Sequence, residues 1–173
     1  KRFLVAKNND GELNIEKLCV VGVEMGAVVA IDWAAHDWSW PVLNTGKQGQ
    51  DVKGLVLISP EWSFKGLRIN DAIAQPGVRS DLSVLLIAGK GSSKSLREAK
   101  RLYTALEKYH PAPPPETMAE KQTLWLRTPN TSLQGTALLN EKSLHVDQMI
   151  AKFIEVRLGK KPMEWTRRRN PLQ

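Results

Sequence analysis

The residues with the clearest chemical meaning are Gly22, Glu24 and Gly26, which form a Gly-x-Glu-x-Gly pattern. One apolar run, Leu18 to Val21, precedes the pattern and another follows it. The sequence therefore predicts a buried strand, a sharp turn and a buried helix, with a polar side chain at the apex of the turn. A carboxylate at that apex is a weaker nucleophile than a serine hydroxyl activated by histidine, and its acyl adduct would be a labile anhydride. Ordinary ester hydrolysis is therefore not expected.

Three further apolar segments follow the turn in a regular order. They are Val52 to Pro60, Leu82 to Gly89 and Gln122 to Arg127, each predicted as a strand that alternates with helical patterns. Together with the turn, this order resembles the α/β-hydrolase superfamily, most closely the small esterases and dienelactone-hydrolase-like proteins, whose turn reads Gly-x-Ser-x-Gly. The resemblance covers roughly residues 14–158. It implies an α/β fold with a mostly parallel sheet and helices on both faces, corresponding to the C-terminal half of the family fold.

The resemblance also implies positions for a catalytic acid and a catalytic histidine, and this chain departs from the family at both. The segment Ala88 to Lys94 contains no acid where the family has one, and Glu61, after the preceding strand, is the one plausible substitute. The loop that carries the family's histidine, residues 128–135, contains none, and His145 is the nearest along the chain. With Glu24 in place of the serine, all three catalytic positions are replaced, which predicts a degenerate triad.

The segment Lys90, Gly91, Ser92, Ser93 and Lys94 offers a different chemistry. It lies between a predicted strand and a predicted helix, where free amides and lysine side chains can attract a phosphate. The order of residues does not match a Walker motif. An anion-binding loop and an ordinary flexible turn are both open interpretations of this segment.

The histidines and the single cysteine do not indicate a metal site. No pair of them has ligand spacing, so we expect no metal and no cofactor. His36 is expected to pair with Asp32 one helical turn away. Cys19 lies in an apolar strand, where core packing is its expected role.

Six tryptophans are many for a chain of 173 residues. We expect Trp33 and Trp125 to lie in the core. Trp38, Trp40 and Trp62 fall near the ends of neighbouring elements, where they could form a protein interface. Local packing is the alternative interpretation of these three side chains.

Several helices can be predicted from spacing. Met25 to Trp38 is apolar almost all round, as in a helix packed against the centre of a sheet. Ser95-x-x-Glu98 is a capping box that predicts the start of a helix reaching about Lys108. A final helix is predicted from Ala137 to Leu158, with His145 inside it.

The net charge of +7 is concentrated at the C-terminus, where the last fifteen residues carry five basic side chains against Glu164. We therefore expect a partial α/β-hydrolase-like domain over residues 1–158 and a basic, solvated tail over residues 159–173. Nucleic-acid binding is not expected, because no aromatic platform or recognition helix accompanies the basic residues.

The first strand is expected to have an unpaired edge. Only Lys1 to Glu16 precede it, whereas the family fold implied by the resemblance places several strands before this turn. An exposed edge along Leu18 to Val21 predicts pairing with a missing N-terminal half of the same polypeptide or with another chain. No run of about 18 apolar residues is present, so no membrane span is expected.

The sequence thus favours an α/β-hydrolase-like protein without esterase activity that acts as a binding domain, for a protein or a small molecule, or as a structural domain. One alternative is an atypical hydrolase with Glu24 as nucleophile or base, Glu61 as acid and His145 as a displaced partner. A second alternative is an anion-binding domain that uses Gly89 to Ser95.

Overall fold

The computed structural model describes residues 1–44 and 46–168. Its centre is a sheet of four strands, which lie in the order β1, β2, β5, β6. All three neighbouring pairs are parallel. This confirms the predicted α/β fold. The strands of this sheet are β1 (Leu18–Val23), β2 (Val52–Ile58), β5 (Ser83–Ile87) and β6 (Leu124–Arg127).

Helices and a small hairpin connect these strands. The hairpin consists of β3 (Ser63–Phe64) and β4 (Leu67–Arg68), which pair antiparallel. The α-helices are α1 (Arg2–Asn9), α2 (Met25–Trp38), α3 (Ile69–Ala74), α4 (Pro76–Ser80), α5 (Ser93–Glu107), α6 (Met118–Lys121), α7 (Thr136–Asn140) and α8 (Val146–Ile154). Short 3-10 turns lie at Ile15–Lys17, Pro115–Thr117 and Lys142–Leu144, and α8 continues as a π-helical turn at Glu155–Gly159.

Each face of the sheet carries its own hydrophobic core, because alternate side chains of a strand point to opposite faces. On the first face, Leu55 and Leu57 of β2 pack with helices α2 to α5. On the second face, Val56 and Ile58 of the same strand pack with α7 and α8. Helices therefore cover both faces, as the sequence predicts.

Helix α2 has the predicted bounds, but α5 begins two residues before the predicted capping box. Its N-cap is Ser92, whose side chain makes no capping hydrogen bond. Ser95 lies inside the first turn rather than before it, so the prediction that Ser95 and Glu98 cap this helix is wrong. Both side chains instead line a pocket described below.

The prediction of one final helix over residues 137–158 is also wrong. The helix is interrupted between α7 and α8. There the Glu141 side chain accepts a hydrogen bond from the Ser143 N–H at 3.2 Å, and a 3-10 turn begins. His145 then takes a left-handed backbone conformation with φ of 51°, which no α-helix accommodates. His145 therefore lies at the junction of two elements and precedes α8.

The C-terminal segment as far as residue 168 packs on the body of the fold. The Asn8 side chain donates to the Thr166 carbonyl at 2.9 Å, and Trp165 Nε1 donates to the Asn8 carbonyl at 3.0 Å. Arg168 is only 6% exposed and contacts the carboxylates of Glu16 and Asp51.

Residues 159–162 and 164–167 are exposed, so the prediction of a solvated tail is wrong at Arg168 alone among the described residues of the tail. Arg169 and the residues after it lie outside the described chain. The physical reason for the burial of Arg168 lies near the N-terminal ends of the strands. There Asp37 and Asp51 are buried, and buried carboxylates require cations as partners. Lys1 supplies a second cation, at 2.9 Å from Asp51. Burial lowers the pKa of Lys1, but its bonds to Asp37 and Asp51 outweigh that effect and raise the pKa above its ordinary value.

Within the described ranges, β1 pairs with β2 alone, so the other side of β1 is an edge of the sheet. Val21 on this strand is 48% exposed, and Met25 and Val29 at the start of α2 are about half exposed.

None of the described helices combines the length and the apolar character that a bilayer crossing needs.

Candidate functional site

Glu24 stands at the turn between β1 and α2. It is the N-cap residue of α2, with φ of 52° and ψ of −117°, a conformation that costs free energy for any residue other than glycine. Its N–H donates to the Ile58 carbonyl at 2.8 Å, which fixes the turn against the end of β2. The residue is exposed at the C-terminal ends of the strands.

Only the first glycine of the Gly-x-Glu-x-Gly pattern is required for close packing. A Cβ on Gly22 would lie 2.5 Å from the Gly26 carbonyl oxygen and 2.6 Å from the Ala27 Cα, so α2 packs directly against this backbone. A Cβ on Gly26 would meet no atom within 4 Å. Close backbone contact therefore explains the glycine at residue 22 and not the glycine at residue 26.

The loop over residues 128–135 places bare backbone beside the Glu24 carboxylate. Gly135 has φ of 57°, and a Cβ added to it would lie 2.5 Å from both Cδ and Oε1 of Glu24. The Gly135 N–H donates to the buried Ser59 Oγ at 2.9 Å. The part of this loop that contacts the carboxylate therefore has no side chain.

Two polar side chains hold this loop in place. Ser59 Oγ donates to Gln134 Oε1 at 2.8 Å, and Gln134 Nε2 donates to the Gly89 carbonyl at 3.2 Å. These bonds tie the loop to the ends of β2 and β5. Sequence reasoning missed Ser59, Gln134 and Gly135 as site residues. The available signals were the Ser-Pro that ends the second strand and a glycine directly before a helical pattern.

A pocket of about 370 Å³ opens in front of Glu24, and we name it the Glu24 pocket. Three of its lining residues are carboxylates, Glu24, Glu61 and Glu98, and one is a cation, Lys94. The structure thus brings Glu24 together with Glu61 and with two members of the predicted anion loop. The other lining residues are Ser59, Pro60, Trp62, Ser63, Ser92, Ser95 and Gln134.

The wall formed by α5 contains polar atoms without partners. Ser95 Oγ and Glu98 Oε2 are both buried and make no hydrogen bond to the residues that the structure describes. The Arg101 guanidinium lies 3.9 Å from the same Glu98 oxygen and stacks on the Trp62 ring at 3.7 Å from its centroid. These atoms are available to a polar ligand.

None of the three histidines lines the Glu24 pocket. His145 lines a separate groove on the second face of the sheet. His110 is buried with Nδ1 at 2.8 Å from Thr123 Oγ1, and burial lowers the pKa of its imidazole. His36 is exposed on α2, and across the described residues no hydrogen bond or ion pair joins it to Asp32, so the expected pair is wrong.

The predicted anion loop uses its backbone donors internally. The N–H groups of Lys90 and Gly91 donate to the carbonyls of Pro129 and Thr131, each at 2.8 Å. The Ser92 N–H donates to the Gly89 carbonyl at 3.3 Å. In this structure those three amides are therefore not free to bind an anion. Ser93 and Lys94 begin α5, and Ser92 and Lys94 line the Glu24 pocket.

The three tryptophans considered for an interface have different surroundings. Trp38 Nε1 donates to the Val52 carbonyl at 2.9 Å, and its ring covers Gly77, where a Cβ would lie 2.0 Å away. Trp40 is 46% exposed, and Trp62 lines the Glu24 pocket. Trp33 and Trp125 are partly buried against the first and the second core respectively.

Across the described ranges, no group of three or more histidine, cysteine, aspartate or glutamate side chains has the geometry of a metal site. Cys19 lies in β1 beside the second core, and burial raises the pKa of its thiol to about 11. Such a thiol is protonated at neutral pH and is a poor nucleophile.

Comparison of the chain with protein-family models, with curated proteins and with solved structures finds no match.

Proposed function

We propose that the chain is an α/β-hydrolase-like domain that lacks esterase chemistry and binds a small polar ligand in the Glu24 pocket. The observation that carries the proposal is the contact between the Glu24 carboxylate and the bare backbone of Gly135. The resemblance to the hydrolases places a histidine in this loop. Here the loop offers no side chain at the point where it contacts the carboxylate.

Without an imidazole, the pocket lacks the base that activates either a serine or the hydrolytic water. A carboxylate that attacked an ester would form an anhydride, and Glu24 has no histidine beside it to promote its breakdown. Loss of triad members removes several powers of ten in rate. Binding, which needs none of these groups, is the role that the geometry supports.

The charges of the pocket indicate the kind of ligand. Among the described residues, Glu98 is paired with Arg97 at 3.7 Å and with Arg101 at 3.9 Å, whereas Glu24 and Glu61 make no ion pair. Two unpaired carboxylates therefore face the single ammonium group of Lys94, so the lining favours a ligand with a cationic group. The Ser95 hydroxyl and Glu98 Oε2 make no hydrogen bond to the described residues, so both can form one with such a ligand. Binding would then remove the free-energy cost of burying these two polar atoms without hydrogen bonds. A small alkyl amine is the simplest probe with these properties.

Calorimetric titration with 1,5-diaminopentane tests the binding. We expect saturable binding that Glu24→Gln weakens by about ten-fold, since a hydrogen bond to a charged group contributes roughly 1.5 kcal/mol. Glu116→Gln, which removes an equal charge from an exposed residue outside the pocket, should leave the affinity unchanged. Equal effects of the two substitutions would refute a ligand site at Glu24.

An atypical hydrolase is the second candidate, because the structure places Glu24 and Glu61 in one pocket. In this alternative, Glu24 is the nucleophile or base and Glu61 the acid, without His145, which lies in a separate groove. Hydrolysis of p-nitrophenyl butyrate that is abolished by both Glu24→Gln and Glu61→Gln would favour this candidate. No turnover above the buffer rate would favour the binding domain.

We propose in addition that a strand from another chain pairs with the edge of β1 that no described strand occupies. The half-exposed apolar side chains of Val21, Met25 and Val29 support this proposal. If the protein self-associates through this edge, Val21→Lys should lower the association measured by sedimentation velocity, while Phe3→Lys, at another exposed apolar residue, should not. A monomer at all concentrations would exclude a second copy and leave a different polypeptide as the partner.

A further inference from the structure

A second cavity lies on the other face of the sheet, between β6 and α8. Its volume is about 630 Å³, within the range of pockets that hold small organic ligands. Its floor consists of Leu85, Trp125 and Phe153, and polar side chains that include Arg127, His145 and Lys152 surround it. We name this cavity the Trp125 groove.

The floor of the Trp125 groove is apolar and well defined. The Trp125 and Phe153 rings meet edge to face, with their centroids 5.2 Å apart and their planes at 90°. Phe153 is buried in the second core, so the floor belongs to the packed interior of the fold. Such a surface favours an apolar ligand body, because contact with it removes apolar surface of the ligand from water.

The charged residues that line the groove are of one sign. Arg127 and Lys152 are cationic, and none of the groove's lining residues in the described chain is acidic. Arg127 makes no ion pair with any residue in the described ranges, whereas Lys152 lies 3.1 Å from Glu155. Glu155 itself is shared, because Lys160 approaches it at 3.3 Å. Arg127 is therefore the cation that is most available to an anionic ligand.

A third cation, the guanidinium of Arg157, lies behind the floor. Arg157 is buried and lies 6.0 Å from the centroid of the Trp125 ring. It donates to Ser83 Oγ at 2.8 Å and to the Glu120 carbonyl at 2.7 Å, and no carboxylate pairs with it among the described residues. Its uncompensated charge adds to the positive potential of the groove.

We propose that the Trp125 groove binds a small amphipathic carboxylate, with its apolar body on Trp125 and Phe153 and its carboxylate on Arg127. A guanidinium can donate two parallel hydrogen bonds to a carboxylate. It therefore binds a carboxylate more strongly than an ammonium group does. The histidine at residue 145 and the amide of Gln148 can donate further hydrogen bonds from the rim. This inference is independent of the Glu24 pocket and of the function proposed for it.

Calorimetric titration with decanoate, below its micelle-forming concentration, tests the proposal. We expect saturable binding of one decanoate per chain, with no comparable binding of decyltrimethylammonium, whose charge is opposite. Arg127→Gln should raise the dissociation constant by about ten-fold, as expected for the loss of a hydrogen bond between charged groups. Arg97→Gln, an exposed arginine of α5 with no part in the groove, is the matched control and should have no effect.

A second variant tests the position of the apolar body. Ala119 is exposed and lines the groove, so Ala119→Trp should fill part of the cavity and abolish decanoate binding without unfolding the protein. Circular dichroism checks that the fold is retained. Absence of decanoate binding by the unmodified protein would overturn the proposal, as would equal affinities of the Arg127→Gln and Arg97→Gln variants. Loss of diaminopentane binding in Glu24→Gln has no bearing on this result, so the two proposals fail separately.

Discussion

The Glu24 pocket and the Trp125 groove lie on the same four-stranded sheet, but they are built from different parts of the chain. Two residues that line the Glu24 pocket, Glu24 and Ser59, have positive φ, as does Gly135 beside the Glu24 carboxylate. Side chains of β6 and α8 form the groove. Their charges are also opposite, with three carboxylates against one ammonium in the pocket and cations alone in the groove.

The two regions should therefore tolerate different substitutions. A pocket that lies beside turns with positive φ and tightly packed glycines depends on those few residues, so a single added methyl group at Gly22 or Gly135 should disturb it. A groove shaped by side chains on regular elements should change affinity with little loss of stability.

The largest effect is expected from Gly22→Ala. The new Cβ would lie 2.5 Å from a backbone oxygen of α2, and the helix cannot yield as a flexible side chain would. We expect a loss of about 3 kcal/mol in the free energy of unfolding, the upper end for overpacked cores. Urea denaturation measures it. Gly26→Ala is the matched control, because its Cβ meets open space within a helix, and it should stabilise by about 0.5 kcal/mol. Equal destabilisation by both variants would contradict the account.

The second prediction concerns Cys19, which lies beside the second core that also forms the floor of the groove. Its thiol pKa of about 11 exceeds the ordinary value of 9.0, so at pH 8 the folded protein holds about a hundred-fold less thiolate than the unfolded chain. Iodoacetamide should therefore alkylate the folded protein about a hundred-fold more slowly than the protein in urea. Equal rates would show that the second core is open.

The same shift has a consequence for stability. The folded protein holds the thiol proton more tightly than the unfolded chain does, so the protonated thiol contributes to the free energy of unfolding. This contribution is complete below pH 9.0. It is lost as the pH rises from 9.0 through about 11. The free energy of unfolding of Cys19→Ala, which lacks the thiol, should depend less on pH across this interval.

A third, smaller effect is expected from Gly135→Ala. The added Cβ would collide with the Glu24 carboxylate, and alanine is strained at a φ of 57°. We expect a loss of about 2 kcal/mol in the free energy of unfolding, from a clash together with backbone strain. The double variant with Glu24→Ala should recover the part due to the clash, and a double-mutant cycle measures that coupling. Zero coupling would mean that the carboxylate does not contact this loop.

The smallest effect on stability is expected in the groove. Arg127→Gln alters an exposed side chain without an ion pair in the described chain, so its free energy of unfolding should change by less than about 0.5 kcal/mol. Urea denaturation of this variant beside Gly135→Ala measures the contrast directly. A loss as large as that of Gly135→Ala would show that the groove, like the pocket, is part of the structural framework.

The sheet and the turn at Glu24 could be predicted from the sequence because apolar runs of strand length mark them. Helix α2 was predicted with its bounds, since it is apolar almost all round. The start of α5 was predicted wrongly because the spacing of Ser95 and Glu98 fits a capping box, whereas Ser92 lies at the N-cap position. The break at His145 depends on a left-handed residue that no spacing reveals.

The candidate site was less predictable than the fold. Glu24 and Glu61 were identified from their order along the chain, and the structure places both in one pocket. Gly135 was missed because its role is a contact between two segments far apart in sequence. The burial of Arg168 was missed for a similar reason, since its partners Glu16 and Asp51 lie in two other segments.

Hydrolysis of p-nitrophenyl butyrate by the unmodified protein, Glu24→Gln and Glu24→Ser tests whether the Glu24 pocket lacks esterase chemistry. The account predicts that all three proteins show the same rate as buffer. Even a serine at residue 24 should remain inactive, because no imidazole lines the pocket to take its proton. Turnover by the unmodified protein that disappears in Glu24→Gln would contradict the claim that this carboxylate lacks a catalytic partner.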